Sequence, residues 1–383
     1  EQNLNKLKFA NLANIARSNK IILTFVALII LITFYLLQPI LYNQTKISKV
    51  LNTELIKKLN LDVRFSNKLN YNFFPKPHFT SKSVMLIHEN KKIAEIKSIK
   101  IFISIDKLFA LKNLEIKDVV ITNANFNIDK LNKNFFFNLL NNNYLENTLE
   151  IKNSNIFYRD SNNDVLFINK ISDLKYYFDQ KKLKNFLYSE NELFNINYKL
   201  KVFENKTEKK IISKLNFDLI KLQIENELSY NEDVKKGKMS ILFNKFKSNL
   251  NYETNGKFFN FIFFDKPEEY TFRYKGNFNI DPFYSNINGR TDELNILYFV
   301  HPNSIIIQLL KTEIFNNKNI DFELNINSSK IKNNSNFLNL TLNSKIKEGL
   351  IDLDNTSFAW KNYALFKLTD SLVYLKDGEL ILD

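Results

Sequence analysis

The chain of 383 residues contains no cysteine, and glycine and proline appear only six times each, histidine three times and tryptophan once. Without thiols there can be no disulfide, thiolate metal site or cysteine nucleophile, so stability must come from packing and main-chain hydrogen bonding. The scarce glycines form no phosphate-cradling loop, and neither a G-x-S-x-G elbow nor an H-E-x-x-H helix occurs. His78 and His88 lack acidic residues at ligand spacing. Asp160 and Asp164 flank an Asn-rich turn without the spacing of a calcium loop. The expectation is a protein that is not an enzyme and carries no metal or cofactor.

What the chain does have is one long apolar run. From Ile21 through Leu31 to Leu37 no charged residue interrupts it, and Gln38 to Tyr42 extend it to the ~20 residues that cross a bilayer core. An apolar helix pairs its own main-chain groups, as lipid requires. Lys6, Lys8, Arg17 and Lys20 precede the run against Glu1 alone, which places residues 1–20 in the cytoplasm and the bulk of the chain outside. No small-residue cleavage site follows, so the segment is expected to stay as a single-pass anchor over 21–42. The formal charge of +13 is spread along the chain with no basic stripe or cluster, which argues against nucleic acid as a partner.

Beyond the anchor, Ile47, Val50, Leu51, Leu55 and Leu59 recur at three- and four-residue spacing and predict an amphipathic helix. Period-two alternation then dominates. Phe194, Ile196, Tyr198, Leu200 and Val202 oppose Asn195, Asn197, Lys199 and Lys201, and Tyr270, Phe272, Tyr274, Phe278 and Ile280 oppose a polar set in the same way. Leu215/Phe217/Leu219, Ile320/Phe322/Leu324/Ile326 and Leu338/Leu340/Leu342 repeat the pattern, with Asn-rich turns between strands. Two helical interruptions are predicted, Lys130 to Leu140 and Asp292 to Phe315, the second broken at His301-Pro302. The chain therefore reads as mainly β, a long curved antiparallel sheet with a few short helices. Its apolar face either closes into a sandwich or lines a trough. Trp360 reads as a packed strand residue or as a contact for a headgroup or partner. The closing residues Leu380 to Asp383 read as a strand, so the sheet over 132–383 is expected to run on past the given sequence, and Glu1 to follow a missing start.

The anchor, the helix KISKVLNTELIKKLNLDVRF, the segment LNYNFFPKPHFTSKSVML and the strands of AEIKSIKIFISIDKLFALKNLEIKDVVITNANFNID together resemble the N-terminal region of the AsmA-like family, inner-membrane-anchored proteins of Gram-negative bacteria. The resemblance covers 43–131. It is carried by Phe74, Pro75 and Pro77 ahead of a strand ending at Val84, then two strands, a helical turn at Asp106 to Leu111 and a further strand entering a hairpin. Neither proline can donate to a ladder, which confines them to an entry turn. Where the family has a glycine after the juxtamembrane helix this chain has Asn60, a residue that tolerates the left-handed conformation. The resemblance implies a trough-like sheet in the periplasm that binds phospholipid acyl chains and assists lipid transfer, outer-membrane assembly and protein targeting to the membrane, with outer-membrane or envelope proteins as further partners. The groove lining is expected at Phe194, Ile196, Tyr198, Leu200, Tyr270, Phe272 and Tyr274. A closed sandwich acting as a protein-binding scaffold is the other reading.

Overall fold

The computed structural model describes residues 24–383 except 109–110, 130, 133, 137–146, 161, 180, 183, 206, 231–232, 244–245, 256–257, 265–271, 281–282, 297–300, 302–303, 312–319 and 377–378. Ile21 and Tyr270 thus lie outside the described residues, as do most of the helix expected at Lys130 to Leu140 and the side chain of Phe272. The chain is mainly β, with 64% of the described residues in strands against 16% in helices. It divides into two compact units, 1–121 and 122–383.

The first unit begins with helix α1 (Thr24–Leu41), long and apolar enough to cross a membrane and almost wholly uncovered by protein. Its last turn, Gln38–Leu41, tightens to a 3-10 helix around Pro39. Helix α2 (Gln44–Leu59) follows at once because Asn43 caps it, its Oδ1 accepting from the amides of Thr45 and Lys46. It stops at Asn60, which takes φ 53° and supplies the left-handed cap that the sequence allowed. Ile47, Leu51, Leu55 and Leu59, four apart, are fully buried against β1 (Asp62–Phe65), each contributing about 1.5–3 kcal/mol of burial. Strand β2 (Asn70–Asn72) pairs with β3 (His78–His88), which also pairs with β1 and with β4 (Lys91–Ile103), all antiparallel. Strand β3 runs on through Val84 instead of ending there. Met85 to His88 continue to pair with β4, past an irregularity at Ser83, φ 56°, that alternation does not reveal. Pro77 enters β3 and Pro75 precedes it in the connecting turn, as expected. Two 3-10 turns, Ile105–Lys107 and Leu111–Asn113, lead into β5 (Ile116–Ile128), within which the division between units falls.

In the second unit β6 (Thr148–Arg159), β7 (Val165–Asp179), β8 (Lys184–Leu193), β9 (Ile196–Asn205), β10 (Lys210–Phe217), β11 (Leu222–Ser229), β12 (Lys235–Phe243), β13 (Phe246–Thr254), β14 (Phe258–Phe264), β15 (Phe272–Ile280) and β16 (Phe283–Leu294) follow each other as antiparallel neighbours. The next pair departs from the expected antiparallel sheet: β16 and β17 (Ile320–Ile331) are parallel. A parallel pair needs a crossover, and this one carries helix α3 (Ile305–Lys311). Strand β18 (Asn334–Lys347) returns antiparallel. It pairs in turn with β19 (Leu350–Asp352) and β20 (Ser357–Trp360), and β21 (Ala364–Lys367), β22 (Leu372–Lys376) and β23 (Glu379–Leu382) complete the edge. Among the described residues no pairing brings β6 back to these last strands. The unit is an open, curved sheet and not a closed sandwich.

Three local expectations are corrected. Phe194 is not in a strand but forms the β8–β9 turn with Asn195, at φ 50° and 59°. It shares the parity of Ile196, so alternation alone could not set it apart. Leu219 likewise falls in the turn after β10 and is 70% exposed. The helix expected from Asp292 is strand as far as Leu294, where Glu293 and Leu294 pair with Lys330 and Ile331 of β17; among the described residues of the expected span, the helix is α3.

Candidate functional site

On β9 the alternation gives what it predicted: Ile196 and Val202 are buried and Tyr198 and Leu200 half-buried, while Asn197, Lys199 and Lys201 are exposed. Tyr274 and Phe278 on β15 are half-buried and Lys275 and Asn277 exposed. Leu215, Ile224, Tyr274 and Phe278 lie on the same side as Tyr198 and Leu200 and none of them is fully covered. The second unit therefore presents an apolar face that protein covers only in part. Registered glycine–aromatic pairs lie on it: Gly237 faces Tyr252, Gly276 faces Phe261 and Gly289 faces Tyr274, and each ring lies where a Cβ would sit.

Polar islands interrupt that face. The Tyr198 hydroxyl donates to Asn169 Oδ1 at 2.8 Å, and burial pushes its pKa up to about 12. Tyr252 donates to Asn226 at 2.6 Å, and Ser189 to Asn191 at 2.7 Å. Tyr230 donates to Glu204 Oε1 at 2.5 Å, and burial and then that carboxylate raise its pKa. Tyr176, fully buried, is also pushed up by burial and then by Glu204. All these phenols stay neutral at physiological pH; Tyr198, Tyr230 and Tyr252 donate, while the buried Tyr176 hydroxyl has no hydrogen-bond partner among the described residues.

Where the crossover passes over the sheet, this face gains a roof. The inner residues of β17 (Phe322, Leu324) and of β18 (Leu340, Leu342, Ser344, Ile346) form the floor at strict two-residue spacing. Helix α3 contributes Ile307, Leu309 and Leu310, and Leu294, Ile351, Leu353, Phe358 and Val373 complete the wall. Ser304 starts the helix, its Oγ accepting from the amide of Ile307 at 3.2 Å. Between them lies a cavity of about 680 Å³, well inside the ~300–1,000 Å³ of small-molecule sites.

Among the described residues no charged side chain lines the cavity, and its polar side chains are Asn334, Ser344 and Thr356. The Thr356 hydroxyl is occupied, accepting from the amide of Asn343 at 3.0 Å and donating to its carbonyl at 2.9 Å. These described lining residues include no carboxylate, imidazole or amine to serve as a general acid or base. Among the described residues no group of three or more His, Asp or Glu side chains could hold a metal ion. The lining is chemically matched to hydrocarbon: an apolar space of ~150 Å³ already takes benzene, and this one is several times larger.

Of the seven groove residues expected from sequence, Tyr270 and the side chain of Phe272 lie outside the described residues, and none of the other five lines the cavity. Tyr274 comes nearest, packing against the cluster of Leu294, Leu324, Ile326 and Leu340 that forms its base. Ile196, Tyr198 and Leu200 lie on the partly covered face and Phe194 in its turn. The missed residues belong mainly to β16, β17, β18 and α3, with Ile351, Phe358 and Val373 added from β19, β20 and β22. Leu338/Leu340/Leu342 and Ile320/Phe322/Leu324/Ile326 were legible as strands, but their meeting under a helix depends on the parallel crossover. Trp360 stands at the edge hairpin β20–β21, 44% exposed, its ring 5.7 Å from that of Tyr363. No protein-family model matches the chain, and no curated protein matches it either.

Proposed function

We propose that this is an inner-membrane-anchored, periplasmic protein of AsmA-like type that holds phospholipid acyl chains and assists their transfer toward the outer membrane and its assembly. The observation that carries this reading is the uncharged cavity of about 680 Å³ at one end of a partly covered apolar face. Drawing acyl chains into water costs ~0.8 kcal/mol per CH₂. An apolar face continuous with a roofed cavity lowers that barrier. The basic residues before α1 favour a cytoplasmic N-terminus, with the sheet on the other side.

The test is photo-crosslinking of the full chain in proteoliposomes with a phospholipid bearing a diazirine at mid-chain, followed by peptide mapping. Crosslinks at Leu324, Leu342 and Phe358 are expected, and Leu342→Trp, which fills the cavity, should abolish them while leaving those on α1 intact. Crosslinks confined to α1 in the wild-type chain would sink the proposal.

A further inference from the structure

The first unit is bound to the end of α1 by three phenols. Tyr35 donates to the carbonyl of Ile105 at 2.6 Å, Tyr71 donates to that of Leu36 at 2.6 Å, and Tyr42 donates to that of Leu108. Residues 24–34 of the helix are exposed, and protein cover begins only at Tyr35. The end of the lipid-facing stretch is thus marked on the structure, and Ile105 and the segment after Tyr71 stand at that level.

Two loops meet there. The β2–β3 connection holds Phe73, 52% exposed, and Phe74, 78% exposed; the turn after β4 holds Ile105, 54% exposed. They belong to one end of the sheet, because the amide of Ile103 donates to the carbonyl of Pro77 at 3.0 Å and His78 pairs with Phe102. Each loop follows its apolar residue with an exposed lysine, Lys76 and Lys107. Apolar tips flanked by cations, beside tyrosines at the end of a span, have the chemistry of a bilayer interface: rings enter the acyl boundary and ammonium groups stay among phosphates.

We infer that Phe73, Phe74 and Ile105 insert into the outer surface of the same bilayer that α1 crosses, with Lys76 and Lys107 on lipid phosphates, so that the first unit is seated on the membrane. This rests on α1 spanning a bilayer and not on the acyl-chain cavity. A seated unit is held in a fixed attitude by contacts on two loops, which a single helix acting as a swivel cannot do.

The absence of cysteine allows single labels on the full chain. Phe74→Cys, Ile105→Cys, Leu31→Cys and Lys91→Cys would each carry a bimane in proteoliposomes of phosphatidylglycerol and phosphatidylcholine, with nitroxide-bearing lipids as quenchers. Lys91 starts β4, roughly 40 Å from Ile103 along the strand at ~3.3 Å per residue, and serves as the dry control. Labels at 74 and 105 should lose most of their fluorescence to a shallow nitroxide, and the label at 31 to a deep one, with that at 91 unchanged. If 74 and 105 behave like 91 while 31 is quenched, the inference is overturned and the span stands. If 31 also escapes, both fall.

Discussion

The phenol of Tyr71 reaches back 35 residues to donate its proton to the carbonyl oxygen of Leu36, 2.6 Å away. Burial, and then the neighbouring Tyr42, push its pKa up to about 12, so it stays a donor at any physiological pH. Tyr71→Phe is expected to cost about 0.5–1.5 kcal/mol. The loss should show as faster amide exchange at the end of α1 and in the 3-10 turn, with the exchange of β3 unchanged.

Lys58 on α2 donates to Glu115 Oε1 at 2.8 Å, and Lys117 stands 3.5 Å from the same oxygen. The Lys58 hydrogen bond is the main cause holding the Glu115 carboxyl below its ordinary value of 4.5, against the opposing effect of burial. A depressed folded pKa means that the unfolded chain binds more protons in acid. The stability from this pair is therefore complete above pH 4.5 and drains away as pH falls through the lower folded value. Melting temperatures of wild type and Glu115→Gln should differ most near neutrality and converge in acid; a constant gap would contradict the assignment.

Gly237 has no room for a methyl group, because a Cβ there would lie 2.0 Å from Cζ of Tyr252. Gly237→Ala should displace that ring, break its hydrogen bond to Asn226, and cost about 1–3 kcal/mol by overpacking. Combining it with Tyr252→Ala relieves the clash, so the double change should cost less than the two single ones summed in urea denaturation.

Ile326, 1% exposed, packs into the base of the cavity without lining it. Ile326→Ala should cost about 2–5 kcal/mol yet leave diazirine crosslinks at Leu342 in place below the melting temperature. Leu342→Trp should do the reverse. If both variants lose crosslinks and stability together, the cavity is not a separable binding element.

Much of the fold could be read from residue pattern. Ile47, Leu51, Leu55 and Leu59 announced α2, Asn60 its left-handed stop, and Ile196 to Val202 the inner side of β9. What escaped were features that leave parity intact or change it silently. Phe194 and Asn195 turn the chain without a glycine, and Asn123, Asn153 and Asn339 take φ near 50° inside strands, each an irregularity invisible to a two-residue period. The cavity escaped for another reason. Its floor is set by which strand lies beside which, and β16 and β17 are neighbours only because the chain crosses over instead of turning back.

That crossover separates two things usually locked together in a sheet. In a hairpin, changing the loop changes the register of all that follows. Here helix α3 of the segment joining β16 to β17 packs over the sheet, and the pairing of Phe322 with Ile346 or Leu324 with Ser344 is set by the strands themselves. Lengthening, shortening or repacking the stretch around α3 can therefore resize the chamber beneath it while every strand downstream keeps its partner, so evolution or an engineer can retune what fits inside without redesigning the scaffold.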